Sequence, residues 1–117
     1  MRKEFKENII NLELYCIRLN NKVSKVFTGR DRGEEVREKS NIDKIYDKYK
    51  NITIIIPTGT FSITPSFLEE FFVNIVQKYG VEEFRKNIHI IDNGYVITTQ
   101  LDEAIDRILQ RKTALDQ

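Results

Sequence analysis

The segment SITPSFLEEFF, residues 62–72, sets two hydroxyls and a proline where an amphipathic helix should begin. Proline is favoured at the first helical position, because the N–H it lacks has no partner there in any residue. That register makes Thr64 the N-cap, able to accept from the backbone N–H of Ser66 or Phe67. A rival register makes Ser66 the cap, with Glu69 three residues on completing a capping box. Pro65 favours the first. Capping accounts for these residue types by itself. The same geometry tolerates a phosphate, since free N–H groups and the helix dipole favour negative charge. Ser66 and Thr64 are therefore candidates for phosphorylation, which would bring about two negative charges to the helix start.

Other reactive side chains are scattered. His89 is the only histidine, and Cys16 the only cysteine. They fall on different expected strands, and nothing in the sequence joins them as a base and a nucleophile. His89 reads as a strand residue at the rim or in solvent, and Cys16 as a small core residue. Glu69-Glu70 and Asp102-Glu103 are adjacent carboxylates on helices, which do not face each other as an acid–base pair would. They read as charges at helix starts, and Glu69 and Glu70 can also rim a surface around Ser66. Gly29-Arg30-Asp31-Arg32-Gly33 has the makings of an anion loop, but it lacks the Lys-Ser/Thr and glycine spacing of phosphate-binding motifs. A flexible turn with solvated arginines explains it as well. Phe61 and Phe67 flank the cap, where one could be an exposed aromatic anchor, while at least one of them is expected to be buried in the core. No residues are assigned to catalysis, to a metal or to a cofactor, and the chain is expected not to be an enzyme.

The elements that must position these residues follow from apolar spacing. Leu12, Leu14 and Cys16 alternate with polar neighbours from Ile9 onward, which predicts a half-buried strand. RLNNK supplies a turn, and VSKVF a second strand of a hairpin. A helix should begin near Asp31 and run to about residue 50, with a break at Ser40-Asn41. NITIIIP is the strongest strand signal, a β-branched run covered on both faces. Phe67, Leu68, Phe71, Phe72, Ile75 and Val76 recur at helical spacing up to Gly80. VEEFRKN is a short helical connector and IHIID a strand. Val96, Ile97, Leu101, Ala104, Ile105, Ile108 and Leu109 trace the face of a last helix. Strands separated by helices imply parallel pairs and right-handed crossovers. The expectation is an α/β fold, with a small mixed sheet and packed helices.

At 117 residues the chain should be one domain, residues 9–111, with a flexible lead-in over 1–8 and a frayed tail over 112–117. It is 40% hydrophobic and 32% charged, with a net charge of +1, which disfavours an electrostatic nucleic-acid binder. Residues 1–50 hold 13 basic and 9 acidic side chains, and residues 51–117 hold 6 and 9. That asymmetry suits solvated helix faces and also a partner surface. No apolar run is long enough for a membrane span or a signal peptide, so the expected location is the cytoplasm. One cysteine excludes a disulfide framework. An exposed hairpin edge suits a monomer or a weak homodimer.

Taken together, IIIPTGTFSITPSFLEEFF resembles the core of the STAS superfamily, the fold of sulfate-transporter C-terminal domains and anti-sigma-factor antagonists. It looks most like the branch of STAS-like bacterial domains of unknown function, through Gly59, Ile63, Ser66, Phe67, Leu68, Glu69 and Glu70. GRDRGEEVR resembles the opening of that branch's first helix, through Arg30, Gly33 and Arg37. The resemblance spans roughly residues 9–111. It implies a non-enzymatic regulatory module that docks a histidine-kinase-like ATPase, which in the antagonists phosphorylates a serine at this helix start. The antagonists' Asp-Ser-Ser-Gly falls here on Thr64, Pro65, Ser66 and Phe67. Their acceptor position is thus Pro65, which has no hydroxyl, and the aspartate ending their preceding strand falls near the apolar Ile56. Docking therefore carries over more directly than phosphorylation. The surface expected to meet a partner comprises Thr58, Gly59, Thr60, Phe61, Ser62, Thr64, Ser66, Phe67, Glu69 and Glu70, with Arg30 and Arg37. The alternative is a standalone phage or mobile-element inhibitor or adaptor, using the same scaffold without phosphorylation.

Overall fold

The computed structural model describes residues 7–116, with side chains described through Arg111. In chain order, β1 (Ile9–Asn11) enters a 3-10 helix (Leu12–Tyr15), followed by β2 (Ile17–Leu19), β3 (Lys22–Ser24) and β4 (Val26–Phe27). Helices α1 (Arg30–Ser40) and α2 (Ile42–Tyr49) lead to β5 (Ile52–Ile55) and β6 (Ser62–Ile63). Then come α3 (Pro65–Tyr79), α4 (Val81–Asn87), β7 (Ile88–Ile91) and α5 (Thr98–Asp116). Most of the expected lead-in, residues 1–6, and Gln117 of the expected tail lie outside the described residues. Asn8 is held by β5, whose Thr53 N–H donates to its carbonyl at 3.0 Å. The backbone of helix α5 is described as far as Asp116, over most of the expected tail.

The α/β class is as the sequence predicts. The strands β1, β5 and β7 form a parallel sheet in the order β1-β5-β7, with Ile9 opposite Thr53 and Ile52 opposite Ile88. Ile52, Ile54 and Ile56 are fully buried, while Thr53 and Ile55 are half-covered. The antiparallel component is the β2–β3 hairpin, which is a sheet of its own. Its turn residues Asn20 and Asn21 have φ of 53° and 65°, the left-handed pair that a two-residue hairpin loop requires.

Two strand expectations are corrected. The alternation from Ile9 to Cys16 does not continue as one strand, because the Asn11 side chain accepts the Glu13 N–H at 3.0 Å and starts a 3-10 turn. VSKVF is not one strand either. Its first part pairs with β2, and Val26-Phe27 instead pairs in parallel with Ser62-Ile63. The break at Asn41 occurs as expected, with φ of 62° ending α1 and opening α2.

Helix α3 is the axis of the core. Phe67, Leu68, Phe71, Phe72, Val73, Ile75 and Val76 are all buried, so it is apolar around most of its girth. It packs between α1 and α5. Its rings extend a ladder from Phe27 through Phe67, Phe71 and Phe72 to Phe84, with centroids 4.8–5.8 Å apart. Such edge and offset contacts add to the burial of each ring. From α5, Ala104, Ile105 and Ile108 complete the face. Val96, expected on that face, precedes the helix and is exposed.

Candidate docking site at the α3 start

Strand β5 ends at Ile55, and Ile56-Pro57 carry the chain out of the sheet at its carboxyl edge. That is where α/β sheets generally present their binding loops. Thr58-Gly59 turns the chain back, with Gly59 at φ of 81°. The turn is closed from within: the Thr60 N–H and hydroxyl both donate to the Pro57 carbonyl, at 3.2 and 2.7 Å. Lys25 fastens it from outside. The Lys25 ammonium donates to the Thr58 carbonyl at 2.7 Å, and its carbonyl accepts the Phe61 N–H at 2.9 Å. Between these ties the Phe61 ring stands 81% exposed. Ser62 is half-buried in β6, and the Ile63 N–H donates to the Tyr95 hydroxyl at 3.0 Å. The loop is thus short, braced and capped by one free aromatic side chain.

Helix α3 begins in the register that Pro65 favours. Thr64 is extended, at φ −97° and ψ 157°, and its hydroxyl accepts the Phe67 N–H at 3.3 Å. The same oxygen accepts the Gly29 N–H at 3.2 Å, so one hydroxyl serves the starts of both α1 and α3. Ser66 Oγ is half-buried and accepts from Arg107 Nη1 of α5 at 3.0 Å.

Three site expectations are corrected. Phe67 is fully buried against Phe27 and Phe71, because it begins the apolar face of α3, so Phe61 is the exposed aromatic of the pair. Glu69 does not rim a surface, for it has no exposure. Its Oε2 accepts from Arg111 Nη1 at 3.0 Å and lies 3.4 Å from Arg30 Nη2. Its Oε1 makes no hydrogen bond and has Arg107 Nη1 at 4.0 Å. Arg37 is turned inward, where it donates to the Glu70 carbonyl and has Glu70 Oε1 at 3.4 Å. A buried carboxylate is tolerable only when cations and hydrogen bonds replace its hydration. Here two helices supply them, α1 through Arg30 and α5 through Arg107 and Arg111.

Glu70 joins the same cluster, with its Oε2 2.8 Å from Arg111 Nη1. One guanidinium thus bridges two adjacent carboxylates. Burial pulls the Arg111 pKa down, but the hydrogen bonds that it donates to Glu69 and Glu70, with their negative charge, outweigh it and hold it above the usual arginine value. Arg107 and Arg111 were not among the expected site residues. Their four-residue spacing, beside the buried Ala104 and Ile108, was the available signal.

The remaining candidates stay apart. Gly29–Gly33 is not a loose turn but the cap and first turn of α1. Arg30 is half in solvent, while Arg32 donates to the Tyr15 carbonyl and pairs with Glu35 at 2.8 Å. His89 is exposed, with Nε2 3.4 Å from the Asn51 amide. Cys16 is half-buried, and burial, followed by the nearby Glu13, raises its thiol pKa. Asp102 pairs with Arg85, and Glu103 with Arg107, on the surface of α5. Among the described residues, no group of three or more His, Cys, Asp or Glu is placed to hold a metal ion. Nor is any helix long and apolar enough to cross a membrane.

Residues 58–94 match the family model described as a STAS-like domain of unknown function (DUF4325). No curated protein and no solved structure matches the chain. The matched stretch runs from the braced loop through α3 and β7 to the Asn93-Gly94 turn. It therefore contains the loop, the cap and Glu69-Glu70, and the segment that builds the candidate site is STAS-like in sequence, as IIIPTGTFSITPSFLEEFF suggests.

Proposed function

We propose that this chain is a regulatory docking module that binds a protein through the Thr58–Ser66 loop and the start of α3. The observation that carries the reading is Phe61, a large aromatic side chain 81% exposed on a loop whose backbone is tied on both sides. A preorganised aromatic loses little freedom on binding, which suits an interface anchor. Thr58 and Gly59 flank it as exposed neighbours. The partner class in this reading, a protein with a histidine-kinase-like ATPase fold, rests on the resemblance of the α3 start to the anti-sigma-factor antagonists. Among the hydroxyls, Ser66 is the better acceptor for a phosphate. Its oxygen already faces Arg107, whereas Thr64 spends its lone pairs on two backbone N–H groups.

The alternative is an adaptor or inhibitor of the same docking kind without the phosphate. Pro65 at the antagonists' acceptor position favours it. The test is capture of tagged protein from its native cell, with mass spectrometry of bait and partner. An ATPase-fold protein retained by the wild type and lost with Phe61→Ala supports docking through the loop. Phosphate on Ser66 supports the switch, and a partner indifferent to Ser66→Asp supports the adaptor. A wild-type capture unaffected by Phe61→Ala contradicts the loop as the docking surface.

A further inference from the structure

The β2–β3 hairpin is a second exposed feature, and the docking loop does not explain it. Every residue of both strands is exposed. Each strand pairs only with the other among the described residues, so both outer edges carry unpaired N–H and C=O groups. Three apolar side chains stand on it in water: Ile17 at 42% exposure, Leu19 at 68% and Val23 at 39%. The register sets Ile17 opposite Ser24, Arg18 opposite Val23 and Leu19 opposite Lys22. Opposed residues share a face. One face therefore holds Ile17 and Leu19 with Lys22, and the other holds Val23 with Arg18. Residues 17–25 contain Arg18, Lys22 and Lys25 and no acidic side chain. Glu13 lies 3.6 Å from Lys25 and 3.9 Å from Arg18, which leaves Lys22 without a carboxylate of that group.

We infer that this hairpin is a docking edge for an acidic, apolar protein segment that adds as a further strand. Backbone groups of the incoming segment would pair with the free edge of β2, its apolar side chains would cover Ile17 and Leu19 on one face, and its carboxylates on the other face would meet Arg18. Charge selects this occupant over two others. A second copy would bring Arg18 and Lys22 against their own counterparts, and lysine at an edge opposes self-pairing. A lipid surface would satisfy the cations but leave the edge amides unpaired in hydrocarbon. The inference does not depend on Phe61.

The test is fluorescence anisotropy of the full chain with a short labelled peptide of alternating glutamate and isoleucine, against one of alternating lysine and isoleucine. Saturable binding of the acidic peptide alone is expected. Arg18→Glu and Leu19→Ser should each weaken it about tenfold, and Phe61→Ala should leave it unchanged. Circular dichroism establishes that each variant is folded. Equal binding of both peptides, no binding of either, or indifference to Arg18→Glu overturns the inference. So does a dimer in sedimentation velocity that Leu19→Ser abolishes, or binding to anionic phospholipid vesicles that Leu19→Ser abolishes.

Discussion

Glu69 is a carboxylate with no exposure, held by Arg111 and Arg30 with Arg107 just beyond hydrogen-bond reach. Breaking a fully buried ion pair costs about 3–5 kcal/mol. These arginines are 37–57% exposed, so part of their charge stays solvated when the carboxylate is lost. Glu69→Gln should accordingly cost about 2 kcal/mol, measured by urea unfolding at neutral pH. Thr64 makes a local test of the cap. Thr64→Val keeps the shape but strands the Phe67 and Gly29 N–H groups, and should cost about 1–2 kcal/mol in the same assay. The cap was legible in the sequence because its chemistry is local: Thr64, Pro65 and a helix follow one another. The fate of Glu69 was not. Its partner Arg111 lies 42 residues away, and only packing of α5 on α3 brings the two together.

Helix α1 meets α3 at Gly33, which is buried in the middle of a helical turn. A Cβ added there would lie 2.4 Å from the Phe67 carbonyl oxygen and 2.9 Å from the Glu70 Cβ. The absence of a side chain lets the two helices approach, and the Arg37–Glu70 contact seals the same seam. Gly33→Ala should therefore destabilise by about 1–3 kcal/mol despite alanine's better helix propensity. Glu34→Ala, one residue on and exposed, should lie within about 0.5 kcal/mol of the wild type. Thermal unfolding of the two variants side by side checks the contrast. Glycine in a sequence advertises a turn more readily than a close approach, which is why GRDRG reads as a loop until α3 is set against it. The apolar periodicity of α3 was plain, since six residues from Phe67 to Val76 repeat at helical spacing, and the structure adds Val73. The hairpin was half legible: Asn20-Asn21 marked its turn, but the change of partner at Lys25 depends on β6, far along the chain.

For the whole molecule, the alternation of the principal strands β5 and β7 with the helices was legible, while the short strands β4 and β6 and the division into separate sheets were not, because strand partners are chosen by tertiary packing. The α2–α3 contact offers a global readout. The Tyr79 hydroxyl donates to Asp47, Lys78 lies 3.2 Å away, and these in that order hold the Asp47 carboxyl below its usual range. A depressed folded-state pKa stabilises the protein above the unfolded value and loses that contribution as pH falls through the folded value. The stability gap between wild type and Asp47→Asn should thus be constant at neutral pH and shrink below about pH 4, as unfolding curves across pH will show. The docking surface makes a different demand, since an exposed anchor should matter to binding and not to folding. The most direct measurement is calorimetric titration of the purified chain with the protein that it captures from its native cell, for wild type and Phe61→Ala. Docking through the loop predicts affinity weakened at least about tenfold with stability within about 0.5 kcal/mol of the wild type. Equal affinity for the two proteins would contradict it.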